Sequence, residues 1–280
     1  MTTEVSHLLL LLFNDILDKD DILVLEEEYM DFMEKTNQYY SLWLGEEDIL
    51  SNPFSGVRWV YSPERNQIQA GYSQPFDLYI LCQPERTVLS YGGNISGAVD
   101  QIKKEIQTAG TVDEIEQGMV SAFGNRCCHF IKYVFDKPDK VRQTTSYARN
   151  LVPGEYPQFK NFFTTNHPGC KEADWLETYF MDLVERHLCC GLFHRDLLVS
   201  CSDAPAMPYM PDEVQEIGIN TLEPYRGKGY AVQVCITCLK QMLQNGICPQ
   251  WSTSVHNVAS QRLAEKIGFV KYADVITVSL

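Results

Sequence analysis

The residues with the clearest chemistry form a short glycine turn near the C-terminus, Arg226-Gly227-Lys228-Gly229. Its two glycines carry no side chain that could keep a ligand away from the backbone. Apolar residues at helical spacing follow from Tyr230, so the turn lies at the start of a helix. The unpaired N–H groups and the positive dipole end at a helix start favour an anion, and the arginine and the lysine add positive charge. This pattern predicts a diphosphate site.

The residues just before the turn predict a strand that leads into it. Between residues 215 and 221, Ile217, Ile219 and Thr221 alternate with Glu216, Gly218 and Asn220. Pro224 cannot continue a paired strand, so we expect the strand to end before it. The sequence therefore predicts a strand, a glycine turn and a helix in succession.

The spacing of the turn excludes two common phosphate loops. A P-loop needs Ser or Thr after its Gly-Lys pair, and a dinucleotide fingerprint needs a third glycine where Val232 stands. The pattern that fits is R-x-x-G-x-A, from Arg226 to Ala231. It resembles the acyl-CoA pyrophosphate loop of the GNAT superfamily of N-acetyltransferases. For this motif alone, an ordinary glycine turn between a strand and a helix is the alternative.

A second motif lies downstream, in residues 257–269. Asn257 has the position of a helix N-cap and Gly268 that of a C-terminal stop. The segment resembles the second GNAT signature, in which an Asn opens a helix that ends in Glu-Lys-x-Gly-Phe. Both motifs occur in the family's order and spacing. They most resemble the bacterial branch with an extra N-terminal domain, which includes antibiotic self-resistance acetyltransferases.

The resemblance implies a fold and a coenzyme. The fold class is α/β (α+β), with a C-terminal GNAT fold whose mixed, splayed central sheet is flanked by helices, plus an N-terminal α/β domain. The coenzyme is acetyl-CoA. The residues implied in its binding are Ile219 and Thr221 along the pantetheine and thioester, Arg226, Gly227, Lys228, Gly229, Tyr230 and Ala231 at the pyrophosphate, and Asn257 and Ser260 beside the pantetheine.

The implied reaction is direct attack of a neutral amine on the thioester, which needs a base for the amine and an acid for the leaving thiolate. Glu216 is the candidate base, with a solvent-facing or strand-edge position as the alternative. Many family members carry a Tyr acid on the last helix, where this chain has Ala264. Tyr209 and Tyr272 are further candidates for the acid, although either can equally be a packing residue.

The histidines and the ten cysteines do not predict a metal site. Adjacent cysteines, such as Cys127-Cys128 and Cys189-Cys190, do not match the C-x₂-C spacing of zinc sites. Cys235 and Cys238 fall on the apolar face of the predicted helix. We therefore expect reduced core thiols in a cytoplasmic protein.

The length of 280 residues favours two domains, and we place them at residues 1–140 and 141–280, with a linker at 136–140. Ahead of the linker, short β-rich runs at 57–61, 78–82 and 87–91 precede helical patterns at 99–108 and 112–123 and a strand at 128–135. The apolar run at residues 8–13 is too short for a signal or a membrane span.

The net charge of −14 argues against nucleic acid and anionic membrane as partners. The sequence thus predicts transfer of an acetyl group from acetyl-CoA to an amine of a small molecule, with a cationic or antibiotic-like amine as one option. The alternative is a non-catalytic acetyl-CoA sensor or scaffold, which Ala264 supports. The identity of the acceptor stays open, as does a homodimer.

Overall fold

The computed structural model describes residues 31–137, 141, 146–170 and 174–280. The apolar run at residues 8–13 and most of the linker expected at 136–140 lie outside these residues. Within the described part, Phe32–Leu280 forms one compact unit. No helix there is long and apolar enough to cross a membrane.

The described part of the chain contains seven α-helices and eleven strands. The helices are α1 (Phe32–Leu44), α2 (Val99–Thr108), α3 (Val112–Phe123), α4 (Tyr156–Asn166), α5 (Leu176–Glu185), α6 (Tyr230–Gln244) and α7 (Val258–Ile267). The strands are β1 (Gly56–Tyr61), β2 (Leu78–Cys82), β3 (Arg86–Tyr91), β4 (Cys127–Val134), β5 (Arg149–Asn150), β6 (Cys190–His194), β7 (Leu197–Asp203), β8 (Val214–Glu216), β9 (Gly218–Thr221), β10 (Cys248–Ser254) and β11 (Val270–Val278).

The strands form two sheets. The larger has seven strands in the order β1-β3-β2-β11-β4-β10-β8, and the smaller has four in the order β5-β6-β7-β9. The pairs β1–β3 and β10–β8 are parallel and the other pairs are antiparallel. This splayed, mixed arrangement with flanking helices confirms the predicted fold class.

The central strands owe their position to their apolar sequences. All five residues of β2, LYILC, are buried. Val275, Ile276 and Val278 of β11 are also fully buried. A strand that buries both faces belongs in the interior of a sheet, where helices cover it on each side.

The helix after the glycine turn buries the face that its sequence predicts. Val234, Cys235, Cys238, Leu239 and Met242 of α6 are all at most 1% exposed. Their side chains join the apolar cluster under the smaller sheet. The cysteines of α6 are therefore core residues, as expected.

The larger sheet runs across the boundary expected at residue 140. Strand β11, from the end of the chain, pairs with β2 on one side and with β4 on the other. The division into residues 1–140 and 141–280 stays a prediction, but main-chain hydrogen bonds join the two segments in one sheet.

Candidate active site

The two sheets separate at Ile217, between β8 and β9. Strand β8 pairs with β10 up to Glu216, whereas β9 pairs with β7 from Gly218 onward. The Ile217 N–H still donates to the Gln250 carbonyl over 3.0 Å, and beyond this point the strands β9 and β10 follow different sheets. The predicted strand at 215–221 is thus interrupted by one residue, and a cleft opens where it changes partner.

The cleft has a volume of about 400 Å³. Its walls are residues 216–219 of the interrupted strand, residues 251–254 of β10, and Asn257 and Ser260 at the start of α7. The other wall comes from the N-terminal half of the chain and includes Tyr72 and Phe130. The candidate site therefore draws on both halves of the sequence.

Asn257 and Ser260, the residues expected beside the pantetheine, line the cleft and also hold the local structure. The Asn257 side chain caps α7 by accepting the Ser260 N–H over 3.2 Å. The Trp251 indole N–H donates to the Ser260 hydroxyl over 3.0 Å. This capping fixes the start of α7 against β10.

The glycine turn leaves its backbone open to a ligand. Gly227 and Gly229 have φ angles of +74° and +78°, in the left-handed region that favours glycine. A Cβ at either position would meet no atom within 4 Å, so the backbone faces free space. Gly229 is the N-cap of α6, and no side chain in the described part of the protein caps this helix. Its first N–H groups are thus available to a ligand.

The charged side chains of the turn are exposed. The Arg226 Nε donates to the Thr221 carbonyl over 3.0 Å, which holds the turn against the end of β9. The Lys228 Nζ lies 4.9 Å from the centre of the Tyr225 ring. Both cations therefore stand beside the helix start, as the motif predicts, with Tyr230 and Ala231 in the first turn of α6.

Ile219 and Thr221 differ in their position. Ile219 lines the cleft, and it pairs with Ser202 of β7. Thr221 lies outside the cleft wall, where its hydroxyl is 2.8 Å from the Ser200 hydroxyl. The structure thus brings Ile219, but not Thr221, together with Glu216.

Glu216 is the last residue before the two sheets separate. Its carboxylate accepts a hydrogen bond from the Lys132 Nζ over 3.0 Å, and both side chains are largely buried. Burial lowers the pKa of Lys132, but Glu216 and the hydroxyls of Tyr79 and Tyr72 outweigh it, so this pKa lies above its ordinary value. Lys132 is therefore a permanent cation, and it is paired with the Glu216 carboxylate.

Tyr209 and Tyr272 do not line the cleft. The Tyr209 hydroxyl donates to Glu64, and burial and this bond raise its pKa to about 12. The Tyr272 hydroxyl donates to the Asn37 side chain over 2.8 Å, and its ring stacks on Tyr40. Burial raises the pKa of Tyr272. The structure does not bring either candidate acid together with Glu216.

Sequence reasoning missed the residues that the N-terminal half contributes, above all Lys132, Tyr72 and Phe130. Lys132 is separated from Glu216 by 84 positions. The available signal was a lysine inside the otherwise apolar strand CCHFIKYV, because a buried lysine needs a partner. No comparable signal marks Tyr72, which lies in a loop.

No group of three His, Cys, Asp or Glu side chains within the described ranges is placed to hold a metal ion. Cys189 and Cys201 come within 3.8 Å of each other, sulfur to sulfur, and both are buried. Burial raises the pKa of Cys201 well above its ordinary value. Such thiols behave as core side chains.

The match to a protein family covers the residues of the glycine turn and most of the cleft. Residues 189–274 match the model of the GNAT acetyltransferase family. This segment holds the separation of the sheets, the glycine turn and most of β11. It belongs to the GNAT acetyltransferase family, as the two motifs predict. The finer assignment to a bacterial branch with an extra domain stays a prediction.

The individual relatives either have low sequence identity to this chain or match it over only a short stretch. A 54-residue stretch is 43% identical to the uncharacterized N-acetyltransferase YdfB of Bacillus subtilis (strain 168), and it spans 19% of this chain and 21% of that protein. An acetyltransferase from the GNAT family from Colwellia psychrerythraea is 19% identical, with 59% of this chain and 60% of that chain covered and a TM-score of 0.48. A GCN5-related N-acetyltransferase from Sphaerobacter thermophilus is 11% identical, with 60% and 56% covered and a TM-score of 0.44. The chain thus spans only about a fifth of the curated relative.

Proposed function

We propose that the chain is an acetyl-CoA-dependent N-acetyltransferase in which an amine of a small molecule attacks the thioester directly. The proposal rests on one observation: Glu216, the separation of the two sheets and the glycine turn follow one another along the chain. One strand brings the buried Glu216 carboxylate to the cleft, and the glycine turn from Arg226 to Ala231 then supplies an anion site at the start of α6.

The residues of the turn fit the diphosphate of a coenzyme. The backbone at Gly227 and Gly229 is unobstructed, and the N-terminus of the 15-residue helix α6 adds its dipole. Arg226 and Lys228 supply charge-assisted contacts. The pantetheine arm would then follow Ile219 into the cleft, past Asn257 and Ser260, with the thioester near Ile217.

Glu216 is the group that takes the proton from the attacking amine. Its carboxylate lines the cleft, and Lys132 holds it in one position through the 3.0 Å hydrogen bond. Proton removal by a fixed carboxylate fits an amine that arrives as an ammonium ion, because the two charges also attract each other. This supports a cationic acceptor, the class to which antibiotic-like amines belong.

The acceptor shares the cleft with the coenzyme arm, and the cleft volume is about 400 Å³. This volume favours a small or narrow amine over a folded protein surface. The net charge of −14 agrees with a cationic small molecule and disfavours nucleic acid and anionic membranes. A cytoplasmic location and a homodimer remain predictions from the sequence.

The experiment measures thiol release from acetyl-CoA with a panel of primary amines that includes tyramine, spermidine and kanamycin. Glu216→Gln should lower kcat by about a hundredfold or more, because general bases contribute about 10²–10⁴ in rate. It should leave the thermal shift on addition of acetyl-CoA unchanged. Glu213→Gln is the matched control, since that carboxylate lies on the exposed surface in an ion pair with Lys35.

Three results would change the proposal. Full activity in Glu216→Gln would remove Glu216 from the mechanism. A thermal shift without thiol release for any amine would favour the alternative, an acetyl-CoA sensor or scaffold. No thermal shift in the wild type would refute the coenzyme site itself.

A further inference from the structure

The proposed reaction leaves one proton without a source, and this inference rests on that proposed function. When the thioester is cleaved, its sulfur leaves as a thiolate and must gain a proton. Ala264, which stands where many family members have a tyrosine, is fully buried and carries no hydroxyl. The proton must come from another side chain of the cleft or from water.

Tyr72 is the one tyrosine among the described residues that line the cleft. Four other hydroxyl groups line it, those of Ser252, Thr253, Ser254 and Ser260. These are aliphatic alcohols, which are much weaker acids than a phenol. A phenol, with an ordinary pKa of about 10, is close to a thiol at about 8.5, so proton transfer between them is nearly balanced.

The Tyr72 ring is held in place by two aromatic neighbours. Its centre lies 4.9 Å from that of Phe76, edge to face, and 5.7 Å from that of Trp43. The residue is 38% exposed, and it lines the cleft. A side chain fixed in this way presents its hydroxyl without losing conformational freedom at the moment of reaction.

The loop that carries Tyr72 meets the loop before β8 at a close contact. Gly71 has a φ of +81°, and a Cβ there would lie 2.9 Å from the Ala206 carbonyl oxygen. Pro205 and Ala206 line the cleft as well. Only glycine allows this approach, so the backbone conformation at Gly71 determines the position of Tyr72 at the cleft.

The surroundings of Tyr72 keep its phenol protonated before the reaction and include a cation. Burial, the largest effect, and the Glu216 carboxylate raise the pKa of the phenol. Lys132 acts in the opposite direction and lowers this pKa, because its cation stabilises the phenolate. Lys132 thus interacts with both Tyr72 and Glu216, the two groups that would exchange protons with the substrates.

We propose that Tyr72 is the general acid that protonates the leaving thiolate of coenzyme A. The amine nitrogen bonds to the carbonyl carbon, the carbon–sulfur bond breaks, and its electron pair goes to sulfur. The Tyr72 O–H bond then breaks and an S–H bond forms, which leaves a phenolate beside Lys132. The proton that Glu216 takes from the amine replaces the lost phenolic proton by exchange through solvent. The net reaction converts an amine and a thioester into an amide and a thiol.

The test compares Tyr72→Phe with Tyr61→Phe, a tyrosine of β1 that is 58% exposed and lies outside the cleft. Phe keeps the ring contacts of Tyr72, so both variants should melt at the wild-type temperature and bind acetyl-CoA with wild-type affinity. With the amine panel, Tyr72→Phe should lower kcat by about a hundredfold with little change in KM. Tyr61→Phe should behave as the wild type.

A second readout does not depend on turnover. The pKa of the thiol of bound coenzyme A, followed by thiolate absorbance, should rise by about one unit in Tyr72→Phe, because the phenol no longer stabilises the thiolate. An unchanged thiol pKa in this variant would overturn the proposal, whether or not any amine is acetylated. An unchanged kcat in the presence of wild-type turnover would overturn it too. A wild type that releases no thiol would instead refute the proposed function, and the thiol pKa would still decide the role of Tyr72.

Discussion

A single negative charge at Gly229 should weaken coenzyme binding by about a hundredfold. This glycine has a φ of +78°, and a Cβ there would meet no atom within 4 Å. Gly229→Asp and Gly229→Asn therefore both fit in space, and both residues tolerate the left-handed conformation better than other side chains do. The two variants have nearly the same shape and backbone cost, and they differ by one negative charge.

The size of the effect follows from the geometry. A carboxylate at this position would stand about 5 Å from a bound phosphate, where two unit charges repel by about 3 kcal/mol at an effective dielectric constant of about 20. This corresponds to about a hundredfold in affinity. Acetyl-CoA at about 100 times its dissociation constant should stabilise the wild type by about 2.7 kcal/mol, but Gly229→Asp by only about 0.4 kcal/mol.

The assay is a thermal melt with and without acetyl-CoA at one fixed concentration. Since 1 kcal/mol shifts Tm by about 2–4 °C in a protein of this size class, the wild type should gain about 5–10 °C and Gly229→Asp about 1 °C. Gly229→Asn should keep most of the wild-type shift. Equal shifts in Gly229→Asp and Gly229→Asn would refute the argument, because the diphosphate would then not lie at this helix start.

Two further predictions concern the fold around the site. The His129 ring lies 2.9 Å from Glu116 and 3.1 Å from Asp274, which also pairs with Lys271. Burial lowers the His129 pKa, but the bonds to the two carboxylates outweigh it and raise this pKa. The protonated imidazole therefore adds to the free energy of unfolding below the ordinary pKa of about 6.5, and this contribution is lost as the pH rises through the folded-state pKa, so His129→Gln should reduce the pH dependence of stability in urea titrations. Gly218→Ala should lower the free energy of unfolding by about 3 kcal/mol, because the new Cβ would lie 2.1 Å from the Asp203 carbonyl oxygen. Gly154→Ala, with no atom within 4 Å, is its control in the same urea titrations, and equal effects of the two changes would contradict this reasoning.

The local elements of the N-terminal half were largely predictable from the sequence. The helices expected at 99–108 and 112–123 have these same bounds, and the expected strands lie within one residue of the observed ones. The start of α3 shows the reason, since Thr111 and Glu114 form a reciprocal capping box. Such signals act over three residues, so they can be read without the tertiary structure.

The order of strands was not predictable, because it depends on contacts between distant residues. The apolar pattern of β11 predicts a buried strand, but it does not predict that β2 and β4 are the strands paired with it. Helix α4 was missed as well, since its sequence YPQFKNFFTTN is rich in aromatic residues and threonine, which have low helix propensity. Its Phe159, Phe162 and Phe163 are buried, and this tertiary packing stabilises the helix.

The pairing of β4 brings a lysine of the N-terminal half to Glu216. Strand β4 lies between β11 and β10, so Lys132 stands opposite Ser252 and reaches Glu216 across β10. Helix α1 covers the same face, with the Tyr40 ring 6.0 Å from the Lys132 Nζ.

The C-terminal segment holds both motifs and the coenzyme turn, whereas the partner of its carboxylate and the tyrosine of its cleft come from residues before 140. Tyr72 and Phe130 line the cleft and Lys132 holds Glu216, so under the proposed function the N-terminal half would set acceptor choice. A change of substrate within such a protein would therefore begin at Tyr72, Phe130 and Lys132, while the glycine turn stays as it is.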